Sequence, residues 1–224
     1  MNKTKIPWAD YTVNPVKGLC PVACPYCYAR RMYKRFKWDT AIRYDPMVFM
    51  DLPNEPSRIF VGSTIDLFHP LTSIWNKDIF SICSRTPEHT FIFLTKQPQY
   101  LHEFSPFPDN CWIGVSATDS KQFIEAHKWL IRINPKVKFI SFEPLLEQIK
   151  PYDEWLLSVY LGDCADWIII GSQTQPTKHP QLGWVTEIRN AAFTQGIPMF
   201  MKEPMANHYG FLEQEFPDQT NSNQ

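Results

Sequence analysis

The sequence predicts an α/β protein: a partial or small (β/α) barrel of six to seven mainly parallel strands with outer helices. Short β-rich runs recur along the chain, separated by stretches each long enough for a helix, the pattern of parallel strands joined by crossovers. Most of these runs are continuously apolar, as strands buried on both faces should be. Polar residues follow directly after almost every run, so that all strands contribute to one rim. A barrel's C-terminal face requires this, whereas an open doubly wound sheet concentrates its site at one crevice.

In order, the runs are a weak first strand near Thr12–Lys17, then Arg58–Gly62, Thr90–Leu94, Trp112–Ser116, Lys138–Ser141, Trp167–Gly171 and Pro198–Lys202. Between them Pro25–Lys37, Ser73–Ser84, Asp119–Ile133 and Val185–Gln195 have helical length and polar-apolar mixing, with Ser73 and Asp119 as N-caps. Shorter helices are expected after Gln97 and Asp153. The 20 prolines fall mainly in the connections, where they mark turns. The 224 residues, 44% of them hydrophobic, suffice for one core and one domain over residues 1–217, with Asp218–Gln224 expected as a disordered tail. No apolar run is long enough for export or membrane spanning, so the expected compartment is the cytoplasm and no membrane partner is expected.

Of six cysteines, three crowd into the eight residues Cys20-Pro21-Val22-Ala23-Cys24-Pro25-Tyr26-Cys27, on a loop just after the first strand. In a reducing compartment such a cluster reads as metal ligands rather than disulfide partners. Cys83, Cys111 and Cys164 stand alone and read as small apolar fillers. Three ligands leave one iron of a four-iron cluster open to an exogenous ligand. A structural zinc site would need a fourth ligand such as His69, and a non-catalytic zinc-binding interaction module is the alternative.

Charge is uneven although the net value is −1: residues 1–43 hold nine Lys or Arg against two Asp. Arg30, Arg31, Lys34, Arg35 and Lys37 follow the cysteines at spacings that put several on one side of a helix. They form either a solvated face or a surface that meets a phosphate-bearing partner. Neither a P-loop nor a glycine-rich dinucleotide fingerprint nor a helical His-Glu zinc pattern is present.

The cysteine segment, with the aromatic Tyr26 immediately before the last thiol, resembles the motif of the radical S-adenosylmethionine superfamily. Its position after a strand and at the head of a series of β/α units is the one that superfamily uses on its partial barrel. The resemblance implies a [4Fe-4S] cluster on Cys20, Cys24 and Cys27, with S-adenosylmethionine chelated to the open iron. It further implies an electron donor such as flavodoxin or ferredoxin, and reductive cleavage of the cofactor to a 5′-deoxyadenosyl radical that abstracts hydrogen from a substrate. Within the superfamily the chain resembles a phage-associated family of uncharacterised activity. The segments that carry this likeness are Asn14-Pro15, Cys27-Tyr28-Ala29, Asp66-Leu67-Phe68-His69, Leu94-Thr95-Lys96, Trp112–Ser116 and Ser141–Leu146.

By the same resemblance Tyr26 packs near the adenine, Gly62, Ser63 and Thr64 meet the amino end of the cofactor, and Ser116 and Thr118 its carboxylate or ribose. The hydroxyls serve equally well as turn or helix caps. Asp66, His69, Lys96, Glu143 and Lys202 are candidates for substrate contact, because ionisable groups placed just after buried strands must be paired or face a wet cleft. A Gly-Gly-Glu-type turn is expected after the sixth strand, but Gly171-Ser172-Gln173 stands there, without the carboxylate. The substrate class suggested by the basic segment is nucleic acid or another phosphate-bearing molecule.

Overall fold

A computed structural model describes residues 2–151, 156–174 and 176–217. The chain divides into two compact units, Met1–Ile113 and Gly114–Gln224.

In the first unit, β1 (Asn2–Lys3) pairs antiparallel with β2 (Tyr11–Val13). The expected first strand is broken: Asn14-Pro15 ends β2, because proline has no N–H to give a central ladder, and Val16–Lys17 becomes β3. After α1 (Tyr28–Phe36), β3 pairs with β4 (Arg43–Tyr44) in a separate antiparallel ribbon. Strand β5 (Arg58–Val61) lies parallel to β2, with Val13 opposite Val61. A 3-10 turn at Ser73–Trp75 leads into α2 (Asn76–Ser84), and β6 (Thr90–Thr95) pairs parallel with β5. Ser73 is therefore not a cap but the first residue of that turn, flanked by Thr72, whose hydroxyl donates to the Asp66 and His69 carbonyls. The helix expected after Gln97 is a 3-10 segment, Pro98–Phe104.

Strand β7 (Cys111–Ser116) spans the boundary of the two units. In the second unit α3 (Ser120–Leu130) is capped as expected by Asp119, whose carboxylate accepts from the Gln122 N–H at 2.8 Å. Strand β8 (Val137–Phe142) follows. The start expected for the helix after Asp153 lies outside the described residues, and α4 spans Leu157–Cys164. Strand β9 (Trp167–Ile170) pairs parallel with β8; α5 (Leu182–Thr194) starts earlier than its apolar pattern indicated; β10 (Met199–Met201) pairs parallel with β9. A last helix, α6 (Glu203–Tyr209), has no counterpart in the sequence reading and carries Pro204 in its first turn, where no backbone bond is lost.

The main sheet has the order β1-β2-β5-β6-β7-β8-β9-β10. Its seven parallel strands, with their helices, make an α/β partial barrel, as the sequence predicted. Strands β7 and β9 are buried at every residue, which accounts for their unbroken apolar runs. Each large side chain in them contributes about 1.5–3 kcal/mol by leaving water. Cys83, Cys111 and Cys164 are fully buried, and burial pushes the Cys164 thiol up to about 12, in keeping with an apolar filler. Among the described residues no helix is long and apolar enough to cross a membrane. The tail Asp218–Gln224 lies outside the described residues.

Gly62 closes β5. Its N–H donates to the Val13 carbonyl at 2.9 Å, its φ is +78°, and a Cβ there would come within 2.7 Å of Leu67 Cγ. Gly62→Ala is therefore expected to lower stability by about 1–3 kcal/mol in a denaturant titration, through left-handed strain added to a clash. An unchanged midpoint would show that the turn relaxes freely.

Candidate functional site

Main-chain bonds hold the cysteine loop. Gly18, at φ +119°, passes so close to Ala41 that a Cβ would lie 2.6 Å from its carbonyl oxygen, and its N–H donates to the Tyr33 hydroxyl at 2.9 Å. The Leu19 N–H donates to the Thr40 carbonyl at 3.0 Å, Arg30 Nη2 to the Cys20 carbonyl at 2.8 Å, and the Cys27 N–H to the Cys24 carbonyl at 3.1 Å. Cys27 occupies the N-cap position of α1, where unsatisfied helix N–H groups favour negative charge. All three thiols are free and half-buried. Of the basic residues on α1, Arg30 is thus engaged with the loop, while Lys34, Arg35 and Lys37 are exposed.

Asp66 connects this loop to the ends of two strands. Its N–H donates to Cys20 Sγ at 3.4 Å. Its buried carboxylate accepts three bonds: Oδ1 from the Phe68 N–H at 3.0 Å and the Thr95 hydroxyl at 2.7 Å, Oδ2 from the Lys96 N–H at 2.7 Å. Burial raises the Asp66 carboxyl above its ordinary value, and those donors pull against it. Lys96, just after β6, sets its ammonium 5.5 Å from the centre of the Tyr26 ring, a cation–π contact. Burial also raises the Cys20 thiol, opposed by the Asp66 N–H, and the Cys24 thiol, opposed chiefly by the Lys96 charge. Charge on Cys27 raises both thiols further.

The hydroxyls after β5 have a common partner that the sequence reading passed over. Asn14 Oδ1 accepts from Ser63 Oγ at 3.1 Å, Thr64 N at 3.2 Å and Thr64 Oγ1 at 3.3 Å. Tyr28 at the start of α1 donates its hydroxyl to the Ser63 carbonyl at 2.8 Å. An Asn-Pro pair ending a strand was the signal available for Asn14. His69 serves the chain turn: its carbonyl accepts the Thr72 and Ser73 N–H groups at 2.8 and 2.9 Å, and Nδ1 accepts from the Leu71 N–H at 3.1 Å.

In the second unit Glu143, after β8, and Lys202, after β10, form an ion pair with side chains about one quarter exposed. Gly171 makes room for it, since a Cβ there would meet Glu143 Cγ at 2.8 Å and Lys202 Cδ at 3.1 Å. Thr118 behaves as a helix-start residue, with Oγ1 on Asp119 at 3.3 Å and its N–H on Gln122 Oε1 at 3.2 Å; Ser116 is buried in β7. In the turn that lacks the expected carboxylate, Gln173 and Lys178 bond reciprocally through their backbones and Ser172 Oγ lies 2.8 Å from His179 Nδ1. His179 stacks on His208 at 4.4 Å between ring centres, an arrangement without a sequence signal because α6 itself was not foreseen.

The family model for DUF5131, a protein of unknown function, matches residues 3–209. The chain belongs to the DUF5131 family. A relative of this DUF5131 chain is the uncharacterized protein MJ0683 of Methanocaldococcus jannaschii, 35% identical over 80 residues that span 32% of the chain and 29% of that relative's length. Among solved structures it is similar to spore photoproduct lyase complexed with dinucleoside spore photoproduct. That likeness has a TM-score of 0.57 and 13% identity, and covers 89% of this chain and 78% of the other. A double mutant of the same lyase with bound AdoMet and the dinucleoside gives a TM-score of 0.50 at 15% identity, over 85% and 62% of the two chains. At these identities the likeness establishes the fold, and the lyases that share it are radical S-adenosylmethionine enzymes.

Whether the DUF5131 cysteines suit an iron–sulfur cluster depends on their spread. A tetrahedral zinc ion, at Zn–S of about 2.3 Å, needs its sulfurs about 3.8 Å apart. Among the described residues no three His, Cys, Asp or Glu side chains converge on such a point. A cluster binds each cysteine through a different iron, and three free, half-buried thiols on one loop are a donor set that fits it.

If Lys96 is what offsets the burial of Cys24, Lys96→Gln should push the pH profile of Cys24 alkylation in the iron-free protein to higher pH, so that the thiolate fraction falls at any fixed pH. Peptide mass mapping after a timed iodoacetamide pulse reads this, with Cys27 as the internal comparison. A profile that stays in place would rule out the charge contact.

Proposed function

We propose that the chain is a radical S-adenosylmethionine enzyme acting on a nucleic-acid-related substrate. The observation that carries this reading is the three-cysteine loop at the end of the first parallel strand of a partial barrel shared with spore photoproduct lyase. A [4Fe-4S] cluster carrying S-adenosylmethionine supplies, when bound, an electron to the sulfonium, giving methionine and a 5′-deoxyadenosyl radical able to take a hydrogen atom from substrate.

The chain's own residues would do the rest. Cys20, Cys24 and Cys27 hold the cluster. Asp66, saturated by three donors, is a positioning residue that fixes Cys20 through its N–H and Lys96 through its carboxylate. Lys96 favours negative charge at Cys24 and lies against Tyr26, the residue proposed to pack by the adenine. Gly62, Ser63 and Thr64, ordered by Asn14, offer backbone and hydroxyl groups to the amino end of the cofactor, and Ser116 and Thr118 are assigned to its carboxylate or ribose. The Glu143–Lys202 pair is assigned to substrate contact, because a charged pair left partly wet can exchange a partner for a polar ligand at low cost. The substrate class rests on the basic segment that begins at the cysteine loop, and on the dinucleoside bound by the similar lyase. The expected setting is the cytoplasm, with a flavodoxin or ferredoxin as reductant.

Anaerobic reconstitution with iron and sulfide tests the reading. A brown protein is expected, whose visible absorption bleaches on reduction and which then cleaves S-adenosylmethionine to methionine and 5′-deoxyadenosine; Cys20→Ser, Cys24→Ser and Cys27→Ser should each abolish cleavage. A colourless protein that takes up zinc and refuses iron would establish the binding-module alternative instead.

A further inference from the structure

Helix α1 begins at Cys27 and ends, about 13 Å along its axis, in an exposed group of aromatic and basic side chains. Phe36 is 52% and Trp38 44% exposed. Their rings stack at 5.5 Å between centres with an interplanar angle of 22°, and the Arg35 guanidinium lies 5.3 Å over Phe36. Trp38 is held in place from behind. Lys37 takes a left-handed conformation at φ +50°, which turns the chain back, so that the Trp38 N–H donates to the Tyr33 carbonyl at 3.2 Å and its ring meets Tyr33 edge-on at 5.3 Å.

A helix end needs no such exposed pair for its own stability: the left-handed cap already closes on the Tyr33 carbonyl, and half the Phe36 surface stays in water. Charge around it is one-sided. Between Asp10 and Asp45 the sole carboxylate is Asp39, which Arg43 engages at 2.8 Å. Among the described residues no acidic side chain pairs with Lys34, Arg35 or Lys37. Cations alone would suit any polyanion, but a rigid, exposed aromatic face adds a demand that a duplex cannot meet, because duplex bases are stacked inside. Unpaired bases can lie on the rings while their phosphates meet the lysines.

We infer that Phe36, Trp38, Arg35, Lys34 and Lys37 form a docking platform for single-stranded nucleic acid, the rings stacking on bases and the cations meeting the backbone. This deepens the reading of the substrate as nucleic acid, and it places part of the binding energy away from the cysteines, on the far end of the helix that starts at Cys27. The platform is indifferent to sequence, since every base has a face to stack.

Fluorescence anisotropy on the full, reconstituted chain tests it, using labelled oligo-dT and oligo-U of about 12 nucleotides, a typical span for such sites, and a duplex of equal length. Single strands should bind more tightly than duplex at equal salt, and the dT and U arms identify the preferred sugar. Phe36→Ala and Trp38→Ala should each weaken single-strand binding by about 5- to 100-fold, the worth of one stacked base. Because Trp38 also touches Tyr33, Trp38→Phe serves as its folded control and should keep most of the affinity. Lys34→Gln with Lys37→Gln should flatten the salt dependence by about 0.7 per lost phosphate contact. Duplex preference, or wild-type affinity in both alanine variants, overturns the platform. S-adenosylmethionine cleavage by a chain that binds no oligonucleotide would sink the platform and leave the radical chemistry standing; oligonucleotide binding by a chain that never takes up iron would do the reverse.

Discussion

A carboxylate taken out of water must be met by donors or the fold does not close over it, and Asp66 is the place where this chain meets that requirement. Three donors converge on it, one from its own turn and two from the end of β6, and its backbone N–H is turned outward to Cys20. The cysteine loop, the turn after β5 and the end of β6 are therefore one hydrogen-bonded body. The half-burial of the thiols and the place of the Lys96 ammonium beside Tyr26 and Cys24 both follow from that closure.

The strands could be read from the sequence because they are buried on both sides, so burial and apolar character coincide residue by residue, as in Trp167–Ile170. The short edges could not. At β1, β3 and β4 only two residues pair at a time, and composition carries no trace of so brief a partnership. Asn14-Pro15 was legible as part of a motif but not as a strand end, since the proline's missing donor matters only once the neighbour β5 is known. The Ser73 turn and α6 carried no such signal: the one is bonded back to the carbonyls of Asp66 and His69, and the Tyr209 hydroxyl of the other reaches the Pro180 carbonyl.

Among candidate site residues the cysteines stood out in the sequence by their spacing, and the structure sets all three half-buried on one loop. Glu143 and Lys202 were legible as charges at strand ends, and the ion pair between them was one of the two readings then open. Asn14 and Thr95 were legible only as members of motifs and Tyr33 not at all, although each makes a contact that shapes the first unit's loops. Their work is to accept or donate bonds across 15 to 50 positions, and no local pattern records such a bond.

The bonds that shape the loop from Gly18 to Cys27 run largely through backbone atoms and through Tyr33, Thr40 and Arg30. A loop bonded in this way takes its shape from the polypeptide itself. On the proposed reading, loss of a cluster to oxygen would empty the seat without dismantling the chair, and repair would be a matter of resupply rather than of refolding.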